Sequence, residues 1–261
     1  MKKLEAKLTQ IRQSHRPGFM MHIVAGFPDL DSSLEIGRQL LNNGADILEV
    51  QIPFSDPVAD GPIIASANDH ALKNGVTVDG SLKMIQTLAA ETDAPILIMT
   101  YFNIVHHYGV AAFAQKAREV GVQGLIVPDY PFDEDQGNSL IEACKQQNLA
   151  LIQVLASTTR PARMAAILEH ASGFVYCMAR TGTTGKKTII KPETVDYLTR
   201  VSAQCDLPMA VGFGLSERDQ VHALSPYADI MVVGSALISA YADKALAEGL
   251  VAVKAFMRNL V

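Results

Sequence analysis

Two carboxylates are placed as an acid and a base would be. Glu49 sits inside the apolar run DILEVQI that begins at Asp46, and Asp60 follows in the proline-rich segment PFSDPVADGP. A carboxylate inside an apolar strand is costly in its charged form unless it has a partner or a task. A shielded strand carboxyl and a more solvated loop carboxyl can divide acid and base work, because their environments separate their proton affinities. Purely structural roles are also open. Glu49 can pair with a lysine, and Asp60 can cap a helix that starts near Pro62.

A second group of residues suits an anion. GFG at Gly212 to Gly214 and GSA at Gly234 to Ala236 each close an apolar run. Glycine lets backbone N–H groups approach a phosphate, and Ser235 adds a hydroxyl. The same glycines can equally serve tight turns. Between the two groups lies RTGTTGKKT, Arg180 to Thr188, whose composition suits a mobile lid with Gly185 near the phosphate, or simply a solvated loop. Tyr176 has the alternation to share a face with Phe174 and Met178.

The elements that must position these groups recur at regular spacing. Eight short runs rich in Val, Ile, Leu and Met begin at Met20, Asp46, Pro95, Gly124, Leu149, Gly173, Pro208 and Ala228. Nearly all-apolar runs indicate strands covered on both faces, as in parallel sheets. The intervening segments carry helical periodicity, for example Leu82, Ile85 and Leu88. Eight strand–helix units in a chain of 261 residues predict a (β/α)8 TIM barrel. Active sites of such barrels lie at the C-terminal strand ends, where Glu49, Asp60 and both glycine motifs then meet. Leu4, Leu8 and Ile11 add an N-terminal helix, and the length after strand 2 adds a helix carrying Ile64, Ala67 and Ala71. No linker or low-complexity stretch interrupts residues 1–261, so a single barrel domain is expected.

Composition narrows the partners. A formal net charge of -5 without a basic run argues against nucleic acid or an anionic membrane. The apolar runs fall short of the ~20 residues that span a bilayer, and the N-terminus lacks a signal-peptide core. Cys144, Cys177 and Cys205 are widely spaced and odd in number, which fits reduced packing thiols in a cytoplasmic protein. None of the eight runs holds a lysine for Schiff-base chemistry. His22 stands alone in its run and His106 and His107 are adjacent, so no metal is expected.

PFSDPVADGP, with the glutamate four residues before its first proline, resembles the signature of the tryptophan synthase alpha subunit family. The resemblance extends through MTYFN at Met99, GLIVPD at Gly124, GFVY at Gly173, TGTTGK at Thr181, VGFG at Val211 and VVGSA at Val232. It implies a (β/α)8 barrel that cleaves indole-3-glycerol phosphate to indole and glyceraldehyde 3-phosphate without a cofactor of its own. The partner it implies is a pyridoxal-phosphate beta subunit in an alpha-beta-beta-alpha complex, to which indole passes. Carried onto this chain, Glu49 is the proton shuttle and Asp60 the ligand of the indole N–H. Tyr176, Thr184 and Phe213 face the substrate, while Gly185, Gly212, Gly214, Gly234 and Ser235 hold the phosphate. Pro53, Phe54, Asp56 and Pro57 lie toward the beta subunit. An alternative is an alpha-like partner of weak or no activity that mainly activates the beta subunit. It is motivated by Gln51 in place of a glycine and by the altered loop after strand 1, where Phe27 replaces an aspartate; His22 for an aromatic residue and Ala65 for a polar one are further departures from the family pattern. By alternation Gln51 points the same way as Glu49, so its amide is expected to bond that acid or to occupy indole space.

Overall fold

Each of the eight apolar runs forms a strand, and all pair in parallel to close a barrel in chain order. The strands are β1 Gly18–Val24, β2 Ile47–Gln51, β3 Ile96–Met99, β4 Gly124–Ile126, β5 Ala150–Ala156, β6 Val175–Met178, β7 Met209–Gly212 and β8 Ile230–Val233. The computed structural model describes residues 1–14, 16–131, 139–178, 190–212 and 214–261. Parallel pairing requires a crossover after each strand, which explains the helical periodicity between the runs.

Alternation along each strand divides the apolar residues into two cores. One set, including Met20, Ile47, Leu97, Ile126, Phe174 and Ile230, fills the barrel interior. The other set packs outward against the helices. Helix α1, Lys2–Gln13, buries Leu4, Leu8 and Ile11 in the interior cluster, so the predicted N-terminal helix serves as the plug at the barrel's lower end. Cys144 and Cys177 are buried, and burial pushes both thiols up to about 12, which suits packing.

The long connection after β2 carries α3, Pro62–Lys73, and α4, Val78–Glu91. Ala67 and Ala71 are buried as the periodicity predicts, while half-buried Ile64 reaches the mouth of the barrel. The Thr77 side chain accepts from Gly80 N at the start of α4. At α3 the cap position falls on Gly61, with Pro62 opening the helix, so Asp60 is not used as the cap.

One ion-pair cluster fixes the lower end. Buried Asp46 accepts from Arg16 Nη1 at 2.8 Å, Arg16 Nη2 at 3.2 Å and Phe19 N at 3.0 Å, with Lys7 Nζ 3.5 Å away. Asp46→Ala leaves a buried N–H without an acceptor, so it is expected to remove about 2 kcal/mol of stability. A lower urea midpoint with an unchanged slope, together with normal substrate affinity, is the outcome to measure.

Candidate active site

The C-terminal strand ends open into a cavity of about 410 Å³. His22, Glu49, Asp60, Tyr176, Gly212 and Ser235 line it, from segments distant in the chain. Barrel closure accounts for this gathering, because each strand delivers its last inward residue to the same mouth.

Glu49 is 2% exposed and lies directly opposite His22, itself 5% exposed, in the β1–β2 register. His22 Nδ1 is 3.3 Å from Glu49 Oε1. Among the described residues, His22 Nε2 and Glu49 Oε2 have no hydrogen-bond partner. His22 is therefore not isolated, as its place in the chain suggested, but the immediate neighbour of the strand acid. Burial opposes its charge most strongly, yet Glu49, with lesser help from Asp60 and Gln51, brings its proton affinity above the ordinary imidazole value. The lysine partner considered for Glu49 is replaced by this histidine.

Asp60 is held from below by two donors on one oxygen. Gln51 Nε2 reaches Asp60 Oδ2 at 2.7 Å and Tyr101 Oη reaches it at 2.9 Å. Asn68 completes the frame by accepting from Gln51 Nε2 at 3.3 Å and from Phe54 N at 2.9 Å. The Gln51 amide thus bonds Asp60 and Asn68 rather than Glu49, and it does not line the cavity. Burial raises the Asp60 proton affinity above the ordinary aspartate value; His22 and the bonds from Gln51 and Tyr101 work against that rise. Tyr176 stays a neutral phenol, pushed up first by burial and then by the charges of Glu49 and Asp60.

Gly212, Gly214, Gly234 and Ser235 line the same cavity from the ends of β7 and β8, with Gly234 beside the His22 ring. Gly214 has φ +66°, and a Cβ at Gly212 would stand 2.8 Å from Tyr176 Oη, so conformation favours glycine at 214 and space favours it at 212. Thr184, Gly185 and Phe213, with the whole stretch 179–189, lie outside the described residues. Of the residues expected to face a partner, Pro53 is buried and Phe54 is half-buried, its ring stacked on Tyr101 at 5.2 Å. They anchor the loop. Asp56 is exposed, Pro57 half-buried, and Val58, absent from the expected set, is 79% exposed.

Sequence reasoning named His22 as a departure from the family pattern without joining it to Glu49, and did not single out Asn68 or Tyr101 as site residues. The signal for His22 was present, since two inward positions in register on adjacent strands must touch. For Asn68 and Tyr101 no signal in the chain shows that a helix and a strand end converge on one carboxylate.

Fold and cavity define an acid–base enzyme built on a (β/α)8 barrel. The chain belongs to the tryptophan synthase alpha chain family, whose model matches residues 8–260. It is 45% identical over 242 residues to the tryptophan synthase alpha chain of Syntrophotalea carbinolica, covering 92% of this chain and 93% of that one. It is 36% identical to the Synechocystis alpha chain over 261 residues, covering 100% and 98%. Among solved structures, Mycobacterium tuberculosis tryptophan synthase superposes with a TM-score of 0.89 at 35% identity, covering 98% of this chain and 96% of that one. A Pyrococcus furiosus alpha-subunit mutant gives 0.85 at 30% identity, covering 93% and 97%.

The Gln51–Asp60 bond has a measurable sign. A donor favours the charged carboxylate, so Gln51→Ala is expected to raise the Asp60 pKa further. Carboxyl-carbon NMR titration of the variant against the parent chain reads this directly.

Proposed function

We propose that this cavity cleaves indole-3-glycerol phosphate to indole and glyceraldehyde 3-phosphate, with Glu49 moving the proton and Asp60 holding the ring nitrogen. The reading rests on one arrangement within a chain of this family. A buried carboxylate with an unpartnered oxygen shares a cavity with a second carboxylate that is braced by neutral donors.

The chemistry follows from what the bond requires. The carbon–carbon bond at indole C3 breaks only after C3 has become tetrahedral, so a proton must be delivered there. Glu49 lines the cavity with Oε2 unpartnered and supplies it. Positive charge then develops at the ring nitrogen, where Asp60 offsets it. Gln51 and Tyr101 hold Asp60 in place for that task and favour its ionised form. As the bond breaks, the substrate hydroxyl returns a proton to Glu49 and the electron pair returns to the indole ring. One proton leaves Glu49 and one comes back, so the step needs no oxidant or reductant.

We assign the substrate phosphate to the backbone N–H groups around Gly212, Gly214, Gly234 and Ser235, and the family's motif assigns Gly185 to the same anion. The same motif match assigns Thr184 and Phe213 to the indole, and Tyr176 lines the cavity. A beta subunit docks on the loop after β2, where exposed Asp56 and Val58 with Pro57 form the surface and Pro53 and Phe54 the anchor beneath. Both acids are retained, which favours catalysis over the role of an inactive activator. The setting we assign is the cytoplasm, where free Cys144, Cys177 and Cys205 stay reduced. No described helix is long and apolar enough to cross a membrane.

Glu49→Gln is expected to lower indole release by about 10³-fold, with the melting temperature little changed. In the parent chain the rate should fall on acidification as Asp60 takes up its proton. Its raised pKa places that limb above the ordinary aspartate value of about 3.9. Ordinary turnover by Glu49→Gln would contradict the assignment.

A further inference from the structure

We propose that His22 is a positioning residue for Glu49, holding its carboxylate through Oε1 and sharing with it the proton delivered to the substrate. The inference rests on the reading of Glu49 given above and adds a second member to the proton-carrying unit.

Geometry carries it. His22 and Glu49 are directly opposite in the β1–β2 register, both buried, with Nδ1 3.3 Å from Oε1. Contact on Oε1 leaves Oε2 for the substrate, and among the described residues Oε2 has no hydrogen-bond partner. The ring is confined on its other side, since a Cβ at Gly234 would stand 3.3 Å from His22 Cδ2. An imidazole so held can add a proton where a phenyl ring could only fill space.

The groups facing His22 are few. Glu49 comes from β2, Asp60 from the loop after it, and the Tyr176 phenol from β6 across the cavity. Strand β8 and the following turn contribute Val232, Gly234 and Ser235, none of which titrates in this range. Helix α11, Ser235–Tyr241, adds Tyr241, whose ring packs on Phe27. On α2, Leu30–Asn42, Asp31, Glu35 and Arg38 are exposed or half-exposed, as are Asp69, His70 and Lys73 on α3. The net influence on the imidazole is negative, which favours its charged form against burial.

The pair carries one exchangeable proton. In the proposed cycle the pair starts with this proton on the imidazole, opposite the Glu49 carboxylate. Transfer from Nδ1 to the carboxylate gives neutral His22 and protonated Glu49, and rotation about Cγ–Cδ brings that proton to the cavity side. Glu49 gives it to C3, takes the hydroxyl proton as the carbon–carbon bond breaks, and the pair is restored. The rate then falls as rising pH removes the shared proton.

The test pairs NMR titration of the His22 ring with pH profiles of indole release for the parent chain, Glu49→Gln, His22→Phe and His22→Gln. His22 should titrate above ordinary histidine in the parent and fall by at least one pH unit in Glu49→Gln, and the parent's alkaline rate limb should coincide with its titration. In His22→Phe that limb should move by a pH unit or more and kcat should drop about tenfold. His22→Gln, which keeps a hydrogen bond but no titration, should recover part of kcat without the original limb. Equal His22 titration in the parent and Glu49→Gln would overturn the proposal even if His22→Phe failed to fold. So would an unchanged limb in either His22 variant. An active Glu49→Gln would instead overturn the assignment of Glu49, leaving the measured coupling of the two side chains to stand or fall by itself.

Discussion

Placing a carboxylate inside an apolar barrel costs several kcal/mol unless neighbouring groups answer its charge. Among the described residues, Glu49 meets that constraint with a histidine contact on one oxygen and no hydrogen-bond partner on the other. That oxygen is a cost to the resting fold and the useful feature of the site, because it leaves one face of the carboxylate open to a substrate. The remaining architecture supports this local cost. A closed ring of eight strands, plugged from below by α1, keeps Glu49 buried and fixes its direction.

Asp60 shows the complementary solution. It sits on a loop, yet Gln51 from β2, Tyr101 beyond β3 and, through Gln51, Asn68 from α3 converge to hold it. Two neutral donors on Oδ2 direct the carboxylate without cancelling its charge, which suits a group that answers a developing cation. The same frame reaches the outer surface. Asn68 accepts from Phe54 N, and Phe54 stacks on Tyr101, so the loop proposed to meet a beta subunit and the carboxylate proposed to hold indole share braces. A shift in that loop therefore has a direct mechanical route to Asp60.

Much of this was legible in the chain. The barrel followed from the spacing of eight apolar runs, and the plug from Leu4, Leu8 and Ile11 at helical intervals. Glu49 announced itself as a charge in an apolar strand, and the glycines after β7 and β8 gathered at one mouth with Ser235. What eluded the sequence was contact between side chains. Alternation showed that Gln51 points inward but not that it would reach past Glu49 to Asp60. His22 looked isolated because linear spacing hides lateral register. The family resemblance assigned Pro53 and Phe54 to the partner side without showing how they pack: one is buried and the other stacks on Tyr101.

The most direct test of the account is a crystal structure of Glu49→Gln with indole-3-glycerol phosphate bound. The account predicts indole C3 within reach of the introduced amide at position 49, the ring N–H on Asp60, and the phosphate at Gly212, Gly214, Gly234 and Ser235. A ring turned so that its nitrogen faces position 49, or a phosphate seated away from those glycines, would contradict it.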